Sequence, residues 1–255
     1  MTTLRRIAVP VGAALIASFL GLPVVALLVR ALTGNASLDG SVLAALRLSL
    51  VTTAGSLILI VALGTPLAWL LARRRFIGRR VVEVLVDLPI VLPPAVAGLA
   101  LLLLLGRRGP VGGLGLEVAF TTAAVVLAQT FVAAPFYIRS ARGAFSRVHR
   151  DLEDAARIDG GNEWDVFRRV VLPLAAPVLT GGAILAWARA LGEFGATIMF
   201  AGNVVGVTQT LPLAVYGEFQ SSLDASIAAA AILVGAAFVV LFGVRLARSG
   251  AADPL

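Results

Sequence analysis

Six long apolar stretches constrain the fold of this chain more than any other feature of its sequence. The predicted spans are Ile7–Val29, Leu48–Leu71, Val84–Leu105, Thr121–Ile138, Leu174–Leu191 and Ile227–Leu246. Each has about the length of a transmembrane helix, which needs roughly 20 mostly apolar residues. Charged residues make up only 14% of the chain, whereas a soluble domain has about 25%. The sequence therefore predicts an all-α, polytopic membrane protein with six transmembrane helices.

The distribution of arginine predicts how these helices are oriented, because short cytoplasmic loops carry an excess of basic residues. Arg107 and Arg108 lie on one side of the six-span arrangement. About 16 of the 21 basic residues fall on the other side: Arg5, Arg6, Arg73, Arg74, Arg75, Arg79, Arg80, Arg139, Arg142, Arg147, Arg150, Arg157, Arg168, Arg169, Arg245 and Arg248. This bias predicts that both termini are cytoplasmic. The first span is too long for the apolar region of a signal peptide, so we interpret it as a retained anchor.

Several kinds of chemistry are excluded by residues that the sequence lacks. There is no Cys, every basic residue of the Lys and Arg group is Arg, and the only His is His149. The lack of Lys excludes a P-loop and a Schiff-base enzyme. The lack of Cys excludes a thiol nucleophile and thiolate metal sites. We therefore predict no catalytic residue and no metal site in this chain.

A polar segment, 139–171, separates the fourth and fifth spans and is predicted to contain two short helices. Asp151 is expected to cap the first helix, Gly160 to end it and Asn162 to cap the second. Trp164 and Phe167 follow helical spacing in that second helix. One interpretation is that this amphipathic pair lies on the membrane surface, where Arg157, Arg168 and Arg169 suit anionic lipid. The alternative is a small, smooth surface that inserts into a groove on a partner protein.

The residue order in this segment resembles the EAA loop of the permeases of ABC importers. The matching residues are Glu153, Ala155, Ala156, Gly160, Val170, Leu172 and Pro173. Val170 stands where the family has Ile, and Asp154 intrudes between the Glu and the first Ala. The resemblance implies that these residues couple the chain to a separate cytoplasmic ATPase. A separate ATPase is also consistent with a chain that lacks the P-loop lysine.

A second segment follows the fifth span and contains two opposite charges on one helix face. Arg189 and Glu193 are four residues apart. Two interpretations remain open: a structural ion pair that fixes the helix, or a pair near a translocation path or gate. Gly192, Gly195 and Gly202 permit a break in the helix, which a membrane tolerates only where the backbone is buried in protein or faces water.

This second segment narrows the resemblance to permeases for tetrahedral oxyanions. LGEFGATIMFAGN at 191–203, TQTLPLAVY at 208–216 and DLPIVLPPAVAGLALLLLLG at 87–106 resemble the molybdate branch most, with sulfate or thiosulfate as the alternative. The residues expected near the path or gate are Arg189, Glu193, Phe194, Gly195, Thr197 and Asn203. Further candidate hydrogen-bond donors to an anion are Gln129, Thr130, Thr208, Gln209 and Thr210.

The resemblance implies a complete assembly around this chain. It implies the type I ABC-importer permease fold over 1–255 as a single domain, with a core over 40–246 and a coupling loop over 139–172. The expected partners are a second copy of the permease, a cytoplasmic ABC ATPase dimer that holds ATP and Mg, and an extracytoplasmic oxyanion-binding protein. No cofactor in this chain and no nucleic acid are expected. The expected location is the plasma membrane of a prokaryote.

Two functions from other classes are weighed against this expectation. An intramembrane enzyme would use Asp87 and Glu193 as an acid and base pair, but no nucleophile or metal-ligand motif accompanies them. A secondary transporter would show repeated halves with broken helices at matching positions, and the sequence shows no convincing internal repeat. Neither alternative needs the coupling loop, so this loop favours the importer.

Overall fold

The computed structural model describes residues 2–34 and 40–249, and within these ranges the chain is helical without a β-strand. The α-helices are α1 Thr2–Thr33, α2 Gly40–Arg73, α3 Arg79–Val91, α4 Pro94–Leu105, α5 Thr122–Arg147, α6 Arg150–Ile158, α7 Glu163–Val166, α8 Leu172–Leu191, α9 Gly195–Phe200, α10 Leu211–Phe219 and α11 Leu223–Ser249. A π-helical stretch, Phe167–Val171, joins α7 to α8. The predicted all-α class is confirmed. Parts of the predicted single domain, residues 1, 35–39 and 250–255, lie outside the described residues.

Five helical segments within the described residues are long and apolar enough to cross a membrane. They are Ala8–Thr33, Gly40–Arg73, Thr122–Arg147, Glu163–Leu191 and Leu223–Phe242. A shorter apolar helix, Pro94–Leu105, lies between the second and third of them. This set is consistent with six spans when the short helix belongs to a broken span.

The structure divides the predicted third span, Val84–Leu105, into α3 and α4. Leu92 has extended backbone angles because Pro93 follows it, and a residue before proline disfavours the helical region. Pro94 then starts α4, where a missing N–H costs no hydrogen bond. The helix is interrupted at Pro93 and Pro94, so this span consists of two helices, α3 and α4, with a bend between them.

Helix α3 carries its two carboxylates on the side that faces α5. Glu83 forms an ion pair with Arg142 at 3.0 Å, and the Asp87 carboxylate lies 3.6 Å from the guanidinium of Arg139. Charged groups at membrane depth are expensive unless they are paired. Since Asp87 and Glu193 are each paired with a different arginine on different helices, the arrangement gives no support to a shared acid and base pair.

The core of the described residues is formed where α2, α5 and α8 pack closely. A Cβ atom added to Gly64 would lie 3.1 Å from the side chains of Tyr137 and Ile138. A Cβ atom added to Gly55 would lie 3.7 Å from the side chain of Val126. The chain order of these contacts shows that α2 and α5 run in the same direction, as the second and fourth of alternating spans must. Small residues at such contacts allow the close approach typical of membrane helices.

Helices α4 and α9 are in close contact, and this contact depends on Gly98. A Cβ on Gly98 would lie 2.5 Å from the carbonyl oxygen and 2.8 Å from the Cα of Ala196. We expect Gly98→Val to lower the melting temperature of the detergent-solubilised protein by about 10 °C, because overpacking against backbone costs about 3 kcal/mol. Gly12→Val makes the same change on α1, where no atom lies within 4 Å of the added Cβ. Equal melting temperatures of the two variants would contradict the prediction.

Candidate functional site

The segment between α5 and α8 folds as the predicted pair of short helices. Gly160 has φ +89° and ends α6 in the left-handed conformation, as predicted. The Asn162 side chain accepts hydrogen bonds at 3.0 Å from the N–H groups of Trp164 and Asp165, so its predicted capping role is confirmed. The predicted cap at Asp151 is wrong: the N-cap is His149, two residues earlier, so that α6 begins at Arg150 and Asp151 lies in its first turn. There its charge still interacts favourably with the helix dipole.

Helix α6 presents an apolar surface to the outside of the protein. Ala155 and Gly160 are exposed, and Ala156 is half-buried. Leu152 is 48% exposed and Ile158 is 86% exposed. These two were missed in the sequence, although their spacing from Ala155 places all three on one helix face. An exposed apolar patch of this kind typically marks an interaction site.

Glu153, which belongs to the same motif, points inward instead. Its side chain is 5% exposed and forms an ion pair with Arg73 at the end of α2. Arg73 also donates a hydrogen bond of 3.0 Å to the carbonyl oxygen of Val148 and lies over the ring of Trp69, 5.2 Å from its centroid. Glu153 therefore fixes α6 to α2 and α5 and does not form part of the exposed patch. Arg73 and Trp69 were missed because the sequence gives no sign of this pairing.

Arg157 holds α6 against α7 through a network of carboxylates. Its guanidinium lies 2.6 Å from Asp154 and 2.7 Å from Glu163. The hydrogen bond to Glu163 raises the pKa of Arg157 above its ordinary value. The turn at Gly160 is thus closed by charge as well as by backbone conformation.

The end of the segment continues into the fifth span without interruption. Val170 and Leu172 are half-buried and Pro173 is exposed. The N–H of Leu172 donates to the carbonyl oxygen of Phe167, a bond one residue wider than in an α-helix. A π-helical turn often occurs at functional sites. Pro173 lies in the first turn of α8, and α7, the π-helical turn and α8 together form one continuous helix from Glu163 to Leu191.

At the other end of α8, Arg189 and Glu193 form an ion pair in which the carboxylate is buried and the guanidinium is partly exposed. The Nη1 atom of Arg189 lies 2.7 Å from Oε2 of Glu193, whose side chain is 1% exposed. The second oxygen, Oε1, accepts a hydrogen bond of 2.7 Å from the N–H of Ala196 in the first turn of α9. The helix is interrupted between α8 and α9, at residues 192–194. Glu193 therefore joins both helices across this break.

The other predicted path residues lie around this break with one exception. The ring of Phe194 contacts that of Tyr216 with centroids 5.2 Å apart, and Gly195 packs against Pro94. Thr197 is fully buried, and its hydroxyl has no hydrogen-bond partner among the described residues. Asn203 lies apart from the ion pair, in the exposed loop before α10.

Four of the five further candidate donors divide into two groups, and the fifth, Gln209, is half-buried in the loop before α10. Thr130 donates to the carbonyl oxygen of Val126 on its own helix, and Thr208 accepts from the N–H of Val204. Gln129 Oε1 and Thr210 Oγ1 are buried and have no hydrogen-bond partner among the described residues. The second group has hydrogen-bonding capacity left for another group.

Residues 64–248 match the family described as binding-protein-dependent transport system inner membrane component. The molybdenum transport system permease protein ModB of Mycobacterium tuberculosis is 47% identical over 204 residues, which are 78% of this chain and 77% of that protein. ModB of Escherichia coli K12 is 38% identical over 202 residues, 77% of this chain and 88% of that protein. The crystal structure of a bacterial ABC transporter involved in the import of the acidic polysaccharide alginate matches with a TM-score of 0.72 and 18% identity, covering 96% of this chain and 97% of that one.

Proposed function

This chain belongs to the family of binding-protein-dependent transport system inner membrane components, and on that premise we propose that it is the permease subunit of an ATP-driven importer for molybdate. It is a multi-pass membrane protein with the fold of ABC-importer permeases. The observation that carries the choice of anion is the identity of 47% to a molybdenum permease over most of both chains.

The α6 surface supports coupling to a cytoplasmic ABC ATPase. Its apolar residues Leu152, Ala155 and Ile158 are exposed on a polar, charged segment. Apolar surface of this kind gains free energy when a partner removes it from water. We propose that this surface enters a groove on the ATPase, and that ATP and Mg are bound there and not by the permease.

Charge supports the orientation in the membrane. Segments 73–80 and 139–171 carry 12 of the 21 arginines, and Glu153 joins these two regions through Arg73. Arg107 and Arg108 lie at the opposite end of α4. We propose that the arginine-rich end and both termini are cytoplasmic.

We propose that two copies of the permease form the path and that the α8–α9 break lies beside it. The hydroxyl groups of Thr197 and Thr210 have no hydrogen-bond partner among the described residues and can donate, and the charge of Glu193 is neutralised by Arg189. A path for a dianion needs hydrogen-bond donors and no free carboxylate. An extracytoplasmic binding protein is proposed to deliver the anion.

Deletion of the gene tests the choice of anion. We expect the deleted cells to lose molybdoenzyme activity at nanomolar molybdate and to regain it at micromolar molybdate, because other transporters carry the anion at low affinity. Uptake of radiolabelled molybdate and of sulfate is measured in the same cells, with the intact gene on a plasmid as the control. A requirement for reduced sulfur with normal molybdate uptake would favour the sulfate or thiosulfate alternative.

A further inference from the structure

The loop between α2 and α3 lines an open surface cavity that is strongly basic. Its volume is about 570 Å³, and it is lined by Arg75, Phe76, Gly78, Arg79, Arg80, Val81, Glu83 and Arg142. Four guanidinium groups thus face a single carboxylate. Glu83 already binds Arg79 at 2.8 Å and Arg142 at 3.0 Å. Arg75 and Arg80 have no carboxylate within 4.0 Å among the described residues, so the cavity has a positive excess.

The backbone at this cavity also favours an anion. Helix α3 starts here, and Gly78 precedes it without a side-chain cap. The first N–H groups of a helix have no intrahelical acceptor, and the positive end of the helix dipole lies among them. A phosphate group is therefore attracted both by the two unpaired arginines and by the start of α3.

Exposed apolar side chains lie beside the cavity, and they favour an anion that carries hydrocarbon chains. Ile77, at the tip of the loop, is fully exposed. Val81 and Val84 are 61% and 63% exposed, and they lie on α3 just above the basic residues. This order, arginine first and then exposed apolar side chains, is the order of headgroup and acyl chain in a bilayer leaflet.

We propose that this cavity, lined by Arg75, Arg80 and the first turn of α3, binds the phosphate headgroup of an anionic phospholipid, with Ile77 and Val81 against its acyl chains. The site is distinct from the α6 surface and does not depend on which anion is transported. A lipid bound there would stabilise the α2–α3 loop. It would also contact Arg142 of α5, which pairs with Glu83.

Titration of phosphatidylglycerol into the detergent-solubilised full-length protein, followed by native mass spectrometry, tests the site. Each basic residue near an anionic lipid surface contributes about a fivefold gain in affinity, so we expect Arg75→Gln/Arg80→Gln to weaken binding by roughly 30-fold. Both side chains are exposed, which leaves the fold intact. The matched control, Arg107→Gln/Arg108→Gln, removes the same charge at the other end of the protein and should retain wild-type binding.

Two further arms separate the lipid from other ligands. Phosphatidylcholine should bind equally to the wild type and to the Arg75 and Arg80 variant, and inorganic phosphate should not raise the melting temperature of either. Equal loss of phosphatidylglycerol in both double variants would overturn the proposal, since it would reflect net charge alone. Stabilisation of the wild type by inorganic phosphate would also overturn it, by identifying a free anion as the ligand.

Discussion

Cells that carry Gly160→Asp are expected to show almost no uptake of the transported anion, although the protein inserts and folds. Gly160 has φ +89°, which costs a side chain about 1–2 kcal/mol. The new carboxylate also lies at the exposed end of α6, where docking of the ATPase would bury it without a partner. Burial of an unpaired charge costs about 3–5 kcal/mol, so the affinity for the ATPase falls by at least about 100-fold. Copurification of the ATPase with the tagged permease measures this loss.

Gly115→Asp is the matched control for this substitution. Gly115 has φ +87°, and an added Cβ meets no atom within 4 Å, as at Gly160. It lies in the loop between α4 and α5, at the opposite end of the protein from α6. The two variants therefore share the backbone cost but differ in their distance from the docking surface. Wild-type uptake and normal copurification in Gly160→Asp would refute the coupling role of α6.

Arg189→Met is expected to destabilise the protein more than most single substitutions. It leaves the buried carboxylate of Glu193 without its cation, and breaking a buried ion pair on one side costs about 3–5 kcal/mol. In the double variant Arg189→Met/Glu193→Gln, the amide oxygen can still accept the hydrogen bond from Ala196. We therefore expect its stability to return to within about 1 kcal/mol of the wild type. Thermal unfolding of the detergent-solubilised variants gives the complete double-mutant cycle.

Uptake by the stable double variant then decides between the two interpretations of the pair. Loss of uptake at normal stability would assign the charges to the path or gate, and normal uptake would assign them a structural role alone. Arg107→Met is the control, because its pair with Glu117 is 3.5 Å long and exposed, and such pairs contribute about 0–1 kcal/mol. If Arg189→Met were as stable as Arg107→Met, the buried pair would not hold α8 to α9.

Features that depend on neighbouring residues were predictable from the sequence. Hydropathy located the spans, because lipid admits only long apolar helices. The roles of Gly160 and Asn162 followed from backbone conformation and capping, which act within one turn. Arg189 and Glu193 also meet within one turn, so their pairing was within reach of spacing alone.

Features that depend on distant segments were not predictable in the same way. Glu153 matches a motif associated with coupling, yet its partner is Arg73 on another helix, and only packing brings them together. The exposure of Ile158 depends on which side of α6 that ion pair turns inward. The break before Pro94 was also missed: the proline pair was visible, but an interior proline can either kink or break a helix, and the local sequence does not decide which.

The unbroken helix from Glu163 to Leu191 has a mechanical consequence. Its 29 residues make a rod about 43 Å long, with the α7 end beside the α6 surface and the Glu193 junction at the other. If such a rod pivots by about 10° at its centre, each end is displaced by about 4 Å, in opposite directions. If the proposed ATPase moves α6, the rod would therefore displace the α8–α9 junction at its other end in the opposite direction.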